Sequence, residues 1–188
     1  MILKSAVLEI NQKKIIDKYK FLNSISKKTL TGATIKANAY GLGDIEIFKL
    51  LFNAGCRHFF VANLYEALKI RKGDNRGKIF ILNEIDTKDI KFLKKYKNLI
   101  PIINSDDSFK RYKRIFKNYF SKVHIGLHLD TGINRLGLNE EEFLKIMSNK
   151  DLNISIILSH LASADENKNK YNLIQRNKFE QLIKKVQK

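Results

Sequence analysis

The sequence predicts an α/β fold built from repeated βα units, and three observations carry that prediction. Short, nearly continuous apolar runs recur along the chain, and amphipathic helical stretches with recognisable starts and stops lie between them. The unusual polar residues fall where the apolar runs end. Runs that stay apolar at successive positions read as strands covered on both faces, as helices cover a parallel sheet.

The chain's 188 residues are enough for one domain with a sizeable core. An apolar fraction of 44%, with 12 Phe and 7 Tyr, excludes a disordered chain. The single cysteine, Cys56 in "NAGCRHFF", excludes a disulfide framework and has no metal-site spacing, so a small buried thiol is expected and no metal. The start, "MILKSAVLEINQKK", lacks the apolar core of a signal peptide, and no stretch is long enough to span a membrane. A cytoplasmic, reducing location is therefore expected. The net charge of +17 raises nucleic acid as a partner, but 29 of the 36 basic residues are lysines. They are spread over segments such as "KDIKFLKKYKN" and "KRYKRIFKNYFSK", which read as solvated helix faces rather than a binding patch.

In chain order, "NQKKIIDKYKFLNSIS" reads as a helix before the first apolar run, "GATIKA" (32–37). Asp44 is placed to cap "IEIFKLLFNAG", with Ile47, Leu50, Leu51 and Ala54 as its apolar stripe and Gly55 at the exit. After the run "HFFVA" (58–62), Asn63 and Glu66 have capping-box spacing at the start of "LYEALKIRKG", which closes at Gly73. The runs "KIFIL" (78–82) and "LIPII" (99–103) follow, and Ser105 with Asp106 and Asp107 opens "SFKRYKRIFKNYF". Next come "VHIGLHLD" (123–130), a second capping-box pair Asn139 and Glu142, and "ISIILSH" (154–160). "NKYNLIQRNKFEQLIKKVQK" reads as a long final helix. Repeats of this kind imply right-handed βα crossovers, about six of them. Periodicity alone leaves open a doubly wound sheet or part of an eight-unit barrel.

In either architecture, chemistry sits at the carboxyl ends of the strands. Lys36 and Tyr40 end the first run, Asn83 and Glu84 follow the third, and Asn104 follows the fourth. "HLDTGINRLG" ends the fifth and "SHLASADE" the sixth. A lysine desolvated at a strand end has a lowered pKa, and its neutral amine can form a Schiff base with an aldehyde such as pyridoxal phosphate. The alternative for Lys36 is a snorkelling side chain. Tyr40 offers a phenolic donor to a phosphate, and Arg135, in a Gly-flanked loop, suits bidentate capture of a carboxylate. Asp130 orients that loop or pairs with a base, the structural role being favoured. His128 reads as a satisfied core residue, and His160 as either a cofactor-facing ring or a packed one. Asp165 and Glu166 read as a helix N-terminal pair.

Taken together and in this order, "IKANAYGLG", "DTGINRLG" and "SHLASADE" closely resemble the alanine racemase family, as do "AVLEINQKKIIDKYKFL" and "GCRHFFVANLYEALKIR". The resemblance covers essentially the whole chain. It implies a (β/α)8 TIM-type barrel followed by a C-terminal β domain, a homodimer, and racemisation of L-alanine and D-alanine for cell-wall synthesis with pyridoxal 5'-phosphate. By that resemblance Lys36 is the lysine joined to the cofactor and one of two opposed proton-transfer bases. Tyr40 binds the cofactor phosphate, Arg135 binds the substrate carboxylate and the cofactor's phenolic oxygen, and His160 lies by the pyridine ring.

Against that pattern, residues 1–188 correspond to an incomplete N-terminal barrel of about three-quarters of the eight units, with the C-terminal β domain absent. The family's second, opposite-face base belongs to that missing part, so the chain alone is expected to be a truncated product and not a competent racemase. His128 stands where many members carry a lysine that is carbamylated and positions the arginine, so Arg135 is expected to be held differently. A non-catalytic pyridoxal-phosphate-binding barrel, a cofactor carrier, is the alternative function. Alanine and serine racemases would share every motif here.

Overall fold

The computed structural model describes residues 7–187. The first six residues, on which part of the reading of the N-terminus rests, lie outside the described residues. The chain divides into two compact units, the first ending at Ile79 and the second beginning at Phe80.

In the first unit, Asn11 caps helix α1 (Gln12–Ser24) by accepting from the Lys14 N–H at 3.0 Å. Strand β1 (Ala33–Thr34) pairs in parallel with β2 (His58–Val61), Ala33 opposite Phe59 and Thr34 opposite Phe60. A five-residue turn, α2 (Lys36–Tyr40), leads to α3 (Asp44–Asn53), and α4 (Leu64–Arg71) follows β2. The core is built around Phe48, whose ring lies 4.4 Å from that of Phe59, with Ile35, Ile47, Leu51, Val61 and Ile70 also buried. Phe48, outside the expected stripe, is more deeply buried than Leu50, so the stripe is rotated towards it. Cys56 is buried, as expected. The buried Arg71 guanidinium donates to the carbonyls of Asp74, Arg76 and Gly77, which fixes the loop after α4.

The expected first strand is shortened. β1 stops at Thr34, and Lys36 begins a turn instead of ending a strand, because the backbone turns left-handed at Ala37.

Strand β3 (Lys78–Ile81) crosses the boundary between the units. The second unit carries a 3-10 turn (Thr87–Asp89), α5 (Lys91–Lys95), β4 (Leu99–Ile103), α6 (Asp106–Phe116) and a second 3-10 turn (Lys117–Lys122). β5 (His124–His128), α7 (Glu140–Met147), β6 (Asn153–Leu158) and α8 (Lys170–Val186) complete it. β4, β5 and β6 pair in parallel, Ile102 opposite Gly126 and Gly126 opposite Ile156. Ser105 caps α6 by accepting from Ser108 N–H, and Asn139 with Glu142 forms the expected capping box, each side chain accepting from the other's backbone N–H. β4 is buried throughout, as its apolar run implies. β6 is half-buried along its whole length, so its apolar run overstated its burial.

Gly126 sits where neighbouring strands crowd the central one. A methyl group there would collide with the Ile102 side chain and lie 2.8 Å from Ile156 Cγ2. Gly126→Ala is therefore expected to destabilise the fold by about 1–3 kcal/mol, read as a lowered urea midpoint with unchanged slope.

Candidate active site

The first unit presents Lys36 on an unusual backbone. Ala37, Asn38, Ala39 and Tyr40 all have φ between 51° and 55°, one turn of left-handed helix made of L-residues. Each such residue costs roughly 1–2 kcal/mol against its Cβ, so the turn persists only where its surroundings hold it. Gly41, with φ of 89°, closes it without that penalty, its N–H bonding back to the Ala37 and Asn38 carbonyls at 3.1 Å. Lys36 is half-buried rather than buried. Tyr40 is 64% exposed, its phenol free to meet a ligand.

Two side chains of α4 hold this turn. Glu66 accepts from Ala37 N–H at 2.8 Å and from Ala62 N–H at 2.7 Å, one carboxylate oxygen to each. The capping box expected here is thus half formed: Asn63 accepts from Glu66 N–H, but the Glu66 carboxylate is turned to the two alanines instead. One turn on, the Lys69 ammonium donates to Asn38 Oδ1 at 3.2 Å and pairs with Asp44 Oδ1 at 2.7 Å. The hydrogen bond to Asp44 is the main cause of a raised Lys69 pKa. Asp44, 2% exposed, is the first residue of α3 rather than its cap, and its own carboxylate accepts from Ile45 N–H.

In the second unit the loops after β5 and β6 carry the polar motifs. Asp130 Oδ1 accepts from Gly132 and Asn134 N–H at 2.8 and 3.2 Å, which bears out its loop-orienting role. Arg135, on that loop, is exposed, as is His160 after β6. His160 is therefore not the packed histidine that was one of its two readings. Asp165 and Glu166 precede α8, whose cap is Asn169, and Glu166 accepts from the Asn169 amide at 2.9 Å.

Two polar groups that the sequence did not single out tie these loops down. Gln175 of α8, fully buried, donates to Thr131 Oγ1 and the His160 carbonyl and accepts from Ala162 N–H at 2.8 Å. Tyr171 O–H, one helical turn earlier, donates to the Gly132 carbonyl. The available signal was a glutamine spaced four residues from Tyr171 and seven from buried Leu182, on the packed face of its helix.

His128 is 7% exposed. Its Nδ1 lies 2.9 Å from Asn104 Oδ1, and the Asn104 amide donates to the Leu82 and Ile102 carbonyls. That fixes Asn104 Oδ1 as the acceptor and puts the His128 proton on Nδ1. His128 Nε2 is left as a buried lone pair with no hydrogen-bond partner among the described residues. The expectation of a satisfied core histidine is thus met at one nitrogen only. Burial lowers its pKa; Asp130 opposes that shift, and His160 and Arg135 reinforce it. Among the described residues no His, Cys, Asp and Glu group is placed to hold a metal, and no helix is long and apolar enough to cross a membrane.

Residues 10–188 match the family model described as alanine racemase, N-terminal domain. The chain belongs to the alanine racemase family. It is 40% identical over 178 residues to the alanine racemase of Rickettsia prowazekii (strain Madrid E), covering 92% of this chain and 44% of that protein. With the alanine racemase of Rickettsia bellii (strain RML369-C) it shares 42% identity over 166 residues, 85% of this chain and 40% of that one. The crystal structure of the Bartonella henselae alanine racemase with covalently bound pyridoxal phosphate superimposes with a TM-score of 0.84 at 31% identity, over 93% of this chain and 52% of that chain. The chain thus spans about half the length of the racemases it matches. The likeness also decides what periodicity left open: the fold is that of the family's N-terminal domain, a partial barrel of βα units.

Because His128 folds with its pKa lowered, the unfolded chain binds a proton near pH 6.5 that the folded chain refuses. Stability is therefore expected to fall as pH drops below about 6.5, seen as a declining urea midpoint. His58, also lowered by burial, adds to the slope, so His128→Gln is expected to reduce it without removing it.

Proposed function

We propose that this chain forms the N-terminal barrel portion of a cytoplasmic, homodimeric alanine racemase, interconverting L-alanine and D-alanine with pyridoxal 5'-phosphate to supply D-alanine for the cell wall. The observation that carries the reading is the left-handed turn, which presents a half-buried primary amine, Lys36, and an exposed phenol, Tyr40, four residues apart. These suit the two ends of pyridoxal phosphate: an amine for its aldehyde and a hydroxyl donor for its phosphate. Space is available beside them, since a side-chain atom placed at Gly41 would meet nothing within 4 Å.

When bound, that cofactor supplies an electron sink that makes the substrate's α-C–H acidic. Lys36 Nζ would take or return the α-proton on one face. Arg135, exposed on the loop braced by Asp130, would hold the substrate carboxylate through its planar fork. By the family resemblance His160, exposed after β6, would lie by the cofactor's pyridine ring. Racemisation needs a second base on the opposite face, which the family resemblance assigns to the C-terminal part of its members. The resemblance of the "DTGINRLG" and "SHLASADE" loops to those of the racemases supports this reading over a cofactor carrier.

Incubation with pyridoxal phosphate, borohydride reduction and peptide mapping are expected to find the label on Lys36 and a yellow colour lost in Lys36→Ala. The 188-residue chain alone is expected to load cofactor without racemising alanine. Robust turnover by that chain would show that the second base lies within it.

A further inference from the structure

We infer that Glu66 is a positioning residue for Lys36, acting through the left-handed turn rather than on the ligand. The inference rests on the reading of Lys36 as the cofactor-bearing lysine. Ala37 N–H is the first amide of the strained turn, immediately after Lys36, and Glu66 is its acceptor at 2.8 Å. The other oxygen of the same carboxylate holds Ala62 N–H, just past the end of β2, at 2.7 Å. β2 is the strand that pairs with β1, so one side chain ties the lysine-bearing turn to the strand beside it. Glu66 lies in the first turn of α4, where the helix terminus favours a carboxylate. Lys69, one turn further, anchors the second residue of the left-handed turn through Asn38 Oδ1 and is itself fixed by buried Asp44. Nothing in the local backbone preference favours four successive L-residues with positive φ, so the direction of the Lys36 side chain depends on these outside contacts.

Gln at position 66 keeps one acceptor but turns an NH2 group towards a backbone N–H, which breaks one of the two bridges. The test compares the 188-residue protein with Lys36→Ala, Glu66→Gln and the double variant Glu66→Gln/Ala37→Gly. Capture of pyridoxal phosphate at Lys36 is timed by borohydride quenching and peptide mapping, and exchange of the Ala37 amide is followed in parallel without cofactor. Glu66→Gln is expected to slow capture at least tenfold and to speed Ala37 exchange by a similar factor. Ala37→Gly in that background is expected to recover most of the capture rate, because glycine takes a φ of about 50° without a Cβ penalty. If Glu66→Gln proves unfolded by far-UV circular dichroism, Glu66→Asp serves instead, since the shorter side chain cannot bridge both amides. Capture unaffected by Lys36→Ala overturns the reading of Lys36 and the inference with it. Loss of capture in Lys36→Ala, with Glu66→Gln within twofold of the parent, overturns the inference alone. Slow capture in Glu66→Gln with no recovery from Ala37→Gly also overturns it, because a general loss of stability would then explain the effect.

Discussion

Left-handed backbone made from L-residues is the constraint around which the first unit is organised. Ala37 to Tyr40 each place a Cβ where it crowds the backbone, and no local propensity offsets this. The compensation comes from elements distant in sequence: Ile35 N–H on the Phe60 carbonyl before the turn, Glu66 on its first amide, and Asn38 held by Lys69. Gly41 and Gly43, both with positive φ, then let the chain leave the turn and enter α3. A lysine on an ordinary strand end would sweep through many rotamers. One that leads into an over-determined turn has its backbone direction set before any ligand arrives, and preorganisation of that kind lowers the entropic loss on binding.

The second unit solves a related problem with buried polar groups. Its reactive candidates, Arg135 and His160, are exposed on loops, and loops without support wander. Support comes from underneath. Gln175 has its amide oxygen and nitrogen both engaged, on Ala162, Thr131 and the His160 carbonyl, and Thr131 in turn meets Ser159 at 2.8 Å. A buried amide with its hydrogen bonds made is inexpensive to keep and costly to disturb. In both units, then, a helix that follows a strand sends polar side chains back to the loops at strand ends, Glu66 and Lys69 from α4 and Tyr171 and Gln175 from α8.

How much of this was legible in the sequence follows from which signals are local. Strand positions were readable from apolar runs, and caps at Ser105 and Asn139 from short polar residues before helical periodicity, because both depend on neighbours within a few positions. The candidate residues were readable because family motifs fix their order along the chain. The left-handed turn was not, since "KANAY" contains no glycine and the conformation is imposed from α4. Glu66 was misread for the same reason: spacing proposed a capping box, and a tertiary demand from Ala37 redirected the carboxylate. Gln175 hid as one polar residue in a lysine-rich helix. The burial of β6 was overstated because an apolar run records what a strand could cover and not what covers it.

At His128 one hydrogen-bond partner and burial together set the local electrostatics. Asn104 cannot turn its amide without losing the Leu82 and Ile102 carbonyls, so it accepts from His128 and fixes the tautomer. Burial then lowers the pKa of the ring, and Arg135 and His160 push it the same way. The result is a buried nitrogen lone pair at Nε2 with no hydrogen-bond partner among the described residues, an acceptor that costs free energy until a donor reaches it.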